Sequence, residues 1–289
     1  MITAGELQAR VWMPSSVEEA WEAKRKLGSD ACFVSGGTLL QTQWEKGIPC
    51  PENFISLERI QEMRGVSKEF DGNRTVLQIG ALTSLSLCQG HPFITGKDWA
   101  LLAESIRSIA APAVRNRGTL GGNISSRYGD SIPALLAIGA EVISFDGKKR
   151  RREELWKWLQ PKAESPLLIS ILLPEGKRAA KTVSFYKKIG RREAFSISLV
   201  AVSGSCTWNE KGEVEEIRLA AGGGDNPPQR LTACERLLEG TVPDAELWQK
   251  LYLEIAEEFQ PVSDAFASAD YRKWTAANVM MSELMRLQG

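Results

Sequence analysis

The sequence is short of metal ligands. It contains a single histidine, and its five cysteines, Cys32, Cys50, Cys88, Cys206 and Cys234, form no Cys-x-x-Cys pair. One imidazole cannot build a multi-histidine zinc or iron centre, and the thiol spacing excludes a zinc ribbon or a ferredoxin-like cluster. No metal site is therefore expected in this chain. Net charge is missing as well: 36 Lys and Arg balance 36 Asp and Glu. A general nucleic-acid binder needs a net basic face, so that class is set aside. The one dense basic run, Lys148 to Arg152, is followed at once by Glu153 and Glu154 and reads as a solvated face. No apolar stretch approaches the ~20 residues that span a bilayer, and the N-terminus shows no secretion signal. An odd, scattered set of thiols then suggests a reduced, cytoplasmic protein. Three nucleotide and nucleophile signatures are also absent: Gly-x-Gly-x-x-Gly, the P-loop, and the Gly-x-Ser-x-Gly elbow. His91, within Gly90-His91-Pro92, reads as a surface turn residue.

What is present is regular punctuation by glycine and proline between periodic runs. Arg10 to Met13 reads as a strand. Ser16 and Glu19 have capping-box spacing for a helix ending at Leu27, before Gly28. Ala31 to Ser35 and Phe54 to Leu57 read as strands around a helix ending near Lys46, a small parallel βαβ layer. Asp71-Gly72-Asn73 marks a hairpin between Arg64–Phe70 and Thr75–Gly80. Helices are expected at Trp99–Ala110 and Ser131–Ile138, and strands at Glu141–Phe145 and Leu167–Leu172. The last third reads as three antiparallel strands, Thr182–Lys188, Phe195–Trp208 and Glu213–Ala221. Three helices follow, Leu231–Leu238, Asp244–Phe259 and Asp270–Leu287. A domain boundary is expected between Glu175 and Ala180.

Two segments look built for an anion. Phe33-Val34-Ser35-Gly36-Gly37-Thr38-Leu39-Leu40 lies at a strand-to-helix junction. Its glycines allow close backbone approach, and a helix N-terminus offers free N–H groups and partial positive charge. Arg115-Asn116-Arg117-Gly118-Thr119-Leu120-Gly121-Gly122-Asn123 again joins paired glycines to a hydroxyl and an amide. Two such segments suit a pyrophosphate gripped from both sides. Taken singly, each is also compatible with a plain tight turn. Asp130 reads either as a helix cap or as an acceptor for ribose hydroxyls. The cationic run Lys187-Lys188-Ile189-Gly190-Arg191-Arg192-Glu193 is an exposed strand end or a positive charge beside an electron-rich ring.

In order and spacing, these pieces resemble the FAD-binding subunit of molybdenum hydroxylases, the xanthine dehydrogenase and carbon monoxide dehydrogenase group. The residues carrying the resemblance are Ser35-Gly36-Gly37-Thr38 with Lys46-Gly47, Ile79-Gly80-Ala81, and Arg115-Asn116-x-Gly118-Thr119-Leu120-Gly121-Gly122-Asn123. Asp130-Ser131-Ile132-Pro133-Ala134-Leu135-Leu136, Lys187 with Arg191-Arg192, and Ala267-Ser268-Ala269 with Tyr271-Arg272 add to it. The likeness is to a bacterial xanthine dehydrogenase FAD subunit. It implies an α+β fold: a two-subdomain, non-Rossmann FAD domain of the vanillyl-alcohol-oxidase type over 1–175 (about 1–60 and 61–175), then a C-terminal domain over 176–289 with a three-stranded antiparallel sheet on a three-helix bundle. It also implies non-covalent FAD, held by Phe33, Val34, Ser35, Gly36, Gly37, Thr38, Leu39 and Leu40, with Thr119, Leu120, Gly121, Gly122 and Asn123 opposite. Asp130 would contact the adenosine half, Ile109 and Leu168 would line the cofactor, and Lys187 would lie near the flavin. Partners would be a large subunit carrying molybdenum cofactor and a small one carrying [2Fe-2S] clusters, in a dimer of heterotrimers, with NAD+ as acceptor. No residue of this chain is assigned as a protein acid or base.

The resemblance is imperfect at Ser35, where the family often has alanine, and at Leu39, where a polar residue is common. The segment between Asn123 and Asp130 is also shorter than in many relatives. Two rival classes remain: a stand-alone FAD-dependent reductase of related fold, and an assembly module that no longer binds FAD.

Overall fold

The computed structural model describes residues 9–72, 74–96, 98–162, 164–175, 181–192 and 197–288. The expected boundary, apart from Glu175, falls outside these residues, as do Asn73 of the hairpin turn, Glu193, and Phe195 at the start of an expected strand.

The chain begins with β1 (Arg10–Trp12), α1 (Val17–Leu27), β2 (Ala31–Val34), α2 (Thr38–Glu45) and β3 (Asn53–Ser56). The strands make a parallel sheet in the order β1-β3-β2, as strands separated by helices must. Ser16 caps α1 by accepting from the Glu19 N–H. The return half of the capping box is shifted by one residue, because the Glu19 carboxylate accepts from the N–H and hydroxyl of Ser15. Helix α1 buries Val17, Ala20 and Trp21, whereas α2 buries none of its side chains. That contrast leaves the β2–α2 junction at a surface and free to meet a ligand.

Next come β4 (Val66–Asp71), β5 (Arg74–Gly80), α3 (Leu85–Gly90), α4 (Ala100–Arg107), α5 (Pro112–Arg117), α6 (Leu120–Ser125), α7 (Ile132–Ile138), β6 (Glu141–Phe145), β7 (Arg150–Glu154), α8 (Leu155–Trp158) and β8 (Leu167–Pro174). Five antiparallel strands form the sheet β4-β5-β8-β6-β7. Its central strand, β8, is buried from Leu167 to Leu173, which explains its unbroken apolar run. The basic run at Lys148–Arg152 is more ordered than its composition suggests. Arg150 to Arg152 belong to the edge strand β7, where Arg150 pairs with Glu18 and Glu62, and Arg152 with Asp71 and Glu141. Charged side chains on an exposed edge also discourage pairing with another chain.

The last part contains β9 (Lys181–Gly190), β10 (Ser198–Trp208), β11 (Val214–Gly223), β12 (Asn226–Arg230), α9 (Thr232–Leu238), α10 (Ala245–Glu258) and α11 (Ala269–Gln288). The sheet has four strands, β12-β11-β10-β9, where three were expected. The fourth was hidden by Pro227 and Pro228, which argue against a strand in sequence. Both are tolerated because β12 is an edge with β11 as its single neighbour in the sheet. Along β9 and β10 side chains alternate between two cores. Phe185, Val200, Val202 and Cys206 pack with α9–α11, while Tyr186 and Ala201 pack with Leu101, Ala134 and Ala137 of α4 and α7. The C-terminal sheet is thus sandwiched between its own helices and the preceding part of the chain. All five cysteines are free; burial pushes the Cys88 and Cys206 thiols up to about 12, so both act as inert packing groups. Among the described residues, no helix is long and apolar enough to cross a membrane.

Candidate functional site

The two glycine-rich segments, far apart in sequence, meet in space. The Thr119 hydroxyl donates to the Ser35 hydroxyl at 3.0 Å. Gly36 packs on the backbone of the second segment so closely that an added Cβ would lie 2.7 Å from the Arg117 carbonyl carbon and closer still to its oxygen. Gly118 is in ordinary contact with the Thr38 hydroxyl, 3.5 Å from where its Cβ would be. The serine at position 35 therefore supplies a side-chain link between the segments.

Within the pair, the roles differ. Gly37 is the N-cap of α2 in the left-handed conformation, φ 71°, and no side chain caps the helix. The stretch from Cys32 to Leu40 is half-buried, apart from exposed Leu39, and the space around the Gly37 α-carbon is open, with Val34 Cγ1 nearest at 4.0 Å from a built Cβ. An uncapped helix end beside a glycine is a fitting cradle for phosphate oxygens. The second segment is internally bonded. Its N–H groups from Leu120 to Asn123 are already bonded, to Thr83 O, Ala81 O, Thr119 Oγ1 and Thr119 O respectively. Gly121 is pressed on Ala81, where a Cβ would sit 2.5 Å from the alanine Cβ. These four amides are thus used within α6 and on its seat against the strand-end loop.

The remaining expected residues divide. Asn123 is turned toward α7, its Oδ1 accepting from the Ser131 N–H and hydroxyl at 3.3 and 2.6 Å. Asp130 does not cap α7; the N-cap is Ser131, with no side-chain bond. Instead the Asp130 carboxylate pairs with Lys188 at 2.7 Å and accepts from the Ser198 hydroxyl at 2.6 Å. Ile109 and Leu168 are core residues. Ile109 precedes Ala110, whose φ is 40°, and the buried Arg115 guanidinium holds the carbonyls of both at 2.8 and 2.7 Å. Lys187 reaches Glu283 of α11 at 3.6 Å. Strand alternation is the reason, since the Lys188 side chain, one position on, is the one reaching α4 and α7. The short segment before Asp130 is folded back by Arg127, which donates to Leu159 O and Ser165 Oγ and lies 5.4 Å from the Trp158 ring centre. Arg115, Arg127 and Lys188 went unassigned in the sequence reading. Arg115 and Lys188 each had a signal there, one in the second glycine-rich segment and the other in the cationic run.

Comparisons with known proteins identify the family. A family model described as the FAD binding domain in molybdopterin dehydrogenase matches residues 6–176, and one described as the CO dehydrogenase flavoprotein C-terminal domain matches 184–287. The chain belongs to this family, the FAD subunits of molybdenum hydroxylases. It is 38% identical to the carbon monoxide dehydrogenase medium chain of Hydrogenophaga pseudoflava over 141 residues, which is 48% of this chain and 47% of that protein. That match spans about half the length of the relative. The glyceraldehyde dehydrogenase medium chain of Sulfolobus acidocaldarius is 26% identical, with 83% and 84% of the two chains covered. Among solved structures, a carbon monoxide dehydrogenase from Hydrogenophaga pseudoflava, a form lacking the Mo-pyranopterin moiety, superposes with a TM-score of 0.86 at 26% identity, covering 97% of each chain.

Proposed function

We propose that this chain is the FAD-carrying electron-transfer subunit of a molybdenum hydroxylase. The observation that carries the reading is the uncapped N-terminus of α2 at Gly37, braced by the Ser35–Thr119 bond and by Gly36 on Arg117. In this reading the N–H groups of Gly37 to Leu40 and the Thr38 hydroxyl hold the pyrophosphate, and the α5–α6 segment keeps that loop in place. Asp130 receives the ribose side. When bound, FAD supplies the redox chemistry, accepting electrons singly or in pairs. The protein's part is to hold it, to set its surroundings and to limit water. The same reading divides the chain into a flavin domain over 1–175 and a second domain over 176–289.

The wider assignment is a heterotrimer, doubled, in the cytoplasm. A large subunit with molybdenum cofactor hydroxylates a purine such as xanthine, [2Fe-2S] clusters of a small subunit relay the electrons, and this chain passes them to NAD+. The purine and the acceptor rest on the sequence resemblance. Co-purification from the native host tests the whole scheme. Molybdenum, iron–sulfur and flavin should travel with this chain, and xanthine should drive NAD+ reduction. Flavin without molybdenum or iron, together with NADPH oxidation by the isolated chain, would point to a stand-alone reductase. An aldehyde or carbon monoxide as reductant in place of xanthine would remove the purine assignment.

A further inference from the structure

Five polar groups meet where β9 and β10 cross the ends of α4 and the start of α7. Lys188 Nζ lies 2.7 Å from Asp130 Oδ2 and donates to the Ser108 carbonyl at 2.9 Å. The Ser198 hydroxyl donates to Asp130 Oδ1 at 2.6 Å, and the hydroxyls of Ser108 and Tyr186 are 3.2 Å apart. The Lys188 and Asp130 side chains retain only 11% and 14% of their exposure. Burial, then the Asp130 carboxylate, pushes the Tyr186 phenol above its ordinary range, so it stays neutral and hydrogen-bonded. In so enclosed a place, an ammonium and a carboxylate each depend on the other, and neither is easily given up.

The cluster joins the C-terminal sheet to two positions assigned above to the cofactor. Asp130 is one. The other is Ile109, next in the chain after Ser108 and held on its far side by Arg115. A carboxylate offers about four acceptor positions. Lys188 and Ser198 occupy one on each oxygen, so Asp130 is fixed in direction and still has lone pairs for a sugar hydroxyl. We infer that Lys188 is a positioning residue of the flavin site, holding Asp130 and the Ser108–Ile109 turn at the cofactor from the C-terminal sheet. It acts through these groups. The inference rests on the reading of Asp130 and Ile109 as cofactor-site residues.

The test uses the full chain with FAD as the probe and the variants Lys188→Met, Lys188→Arg and Asp130→Asn. Two quantities are read: the FAD dissociation constant and the visible circular dichroism of bound flavin, which reports its surroundings. Lys188→Met should weaken FAD binding about tenfold, the scale on which loss of a supporting partner registers behind metal ligands, and should alter the flavin dichroism. Lys188→Arg, keeping the charge, should restore most of both; if Lys188→Met does not fold, this rescue and its dichroism decide the matter. Wild-type affinity and dichroism in Lys188→Met, beside weakened binding in Asp130→Asn, overturn the role of Lys188 and leave that of Asp130 standing. Unchanged binding in Asp130→Asn overturns the assignment of Asp130, and this inference with it. Equal losses in Lys188→Met and Lys188→Arg overturn the role of the charge.

Discussion

Gly36→Ala is expected to cost the chain its flavin. The added methyl has nowhere to go: its Cβ would fall against the carbonyl of Arg117, with the carbonyl carbon at 2.7 Å and the oxygen nearer. That obstacle is backbone and cannot rotate aside as a long side chain would. Relief requires the β2–α2 loop to part from the α5–α6 segment, and the Ser35–Thr119 bond at 3.0 Å would be lost with it. Overpacking of this kind costs about 1–3 kcal/mol and sometimes more. If about 3 kcal/mol is concentrated on the loop geometry that binding needs, affinity falls by about 100-fold. Titration of the variant with FAD, followed by flavin fluorescence, measures the change directly. Gly37→Ala provides a contrast, because space is open there and the fold loses only the ease of a positive φ. A folded apoprotein, less stable by about 1–2 kcal/mol from the left-handed backbone and impaired in FAD binding, is the outcome expected for Gly37→Ala. Normal FAD binding by Gly36→Ala would mean that the packing of the two segments is irrelevant to the cofactor.

Arg272→Ala should produce the largest loss of stability. Arg272 is fully buried, and its guanidinium binds Asp264, the Leu199 carbonyl and the Gly223 carbonyl. It thereby fastens the loop between α10 and α11 to β10 and β11. Gly224, at φ 62°, makes room for it; a Cβ there would lie 2.6 Å from Nη1. Removing one partner of a buried pair costs about 3–5 kcal/mol. Asp264 keeps some exposure and can be rehydrated, so the lower figure applies. For a chain of this size, about 3 kcal/mol lowers the melting temperature by about 6–12 °C. Burial alone would raise the Asp264 carboxyl, but the N–H groups of Phe266 and Ala267 and the Arg272 guanidinium hold it below its ordinary range. A lowered carboxyl stabilises the fold above its unfolded value and loses that contribution as pH falls through the folded value. In Arg272→Ala this acid-dependent component should shrink. Thermal unfolding by circular dichroism across the acid range checks both effects, and a melting temperature within a degree or two of wild type would contradict them.

Local chemistry made much of this legible in sequence. The parallel β1–β3–β2 layer followed from strand and helix periodicity, and the sheet-then-helices order of the last part from alternation and then amphipathic spacing. What escaped had physical causes. Pro227 and Pro228 disguised an edge strand. The charge of Arg150–Arg152 masked another, because an edge has no need of apolar residues on both faces. In the site, the glycine pairs were visible, but which of their amides the tertiary fold has already used was not. Which of Lys187 and Lys188 reaches Asp130 is set by the phase of β9 against α4 and α7. Two adjacent lysines carry no mark of which one turns inward.

The central claim is that this chain holds FAD on the bare end of α2, with the second glycine segment as its brace. The visible spectrum of the purified, folded chain tests it most directly, before and after incubation with FAD and removal of the excess. The account predicts flavin absorbance at about one FAD per chain, one cofactor for one such cradle, released into the supernatant on acid precipitation as a non-covalent cofactor must be. A folded chain with no flavin absorbance and no uptake of added FAD would contradict it.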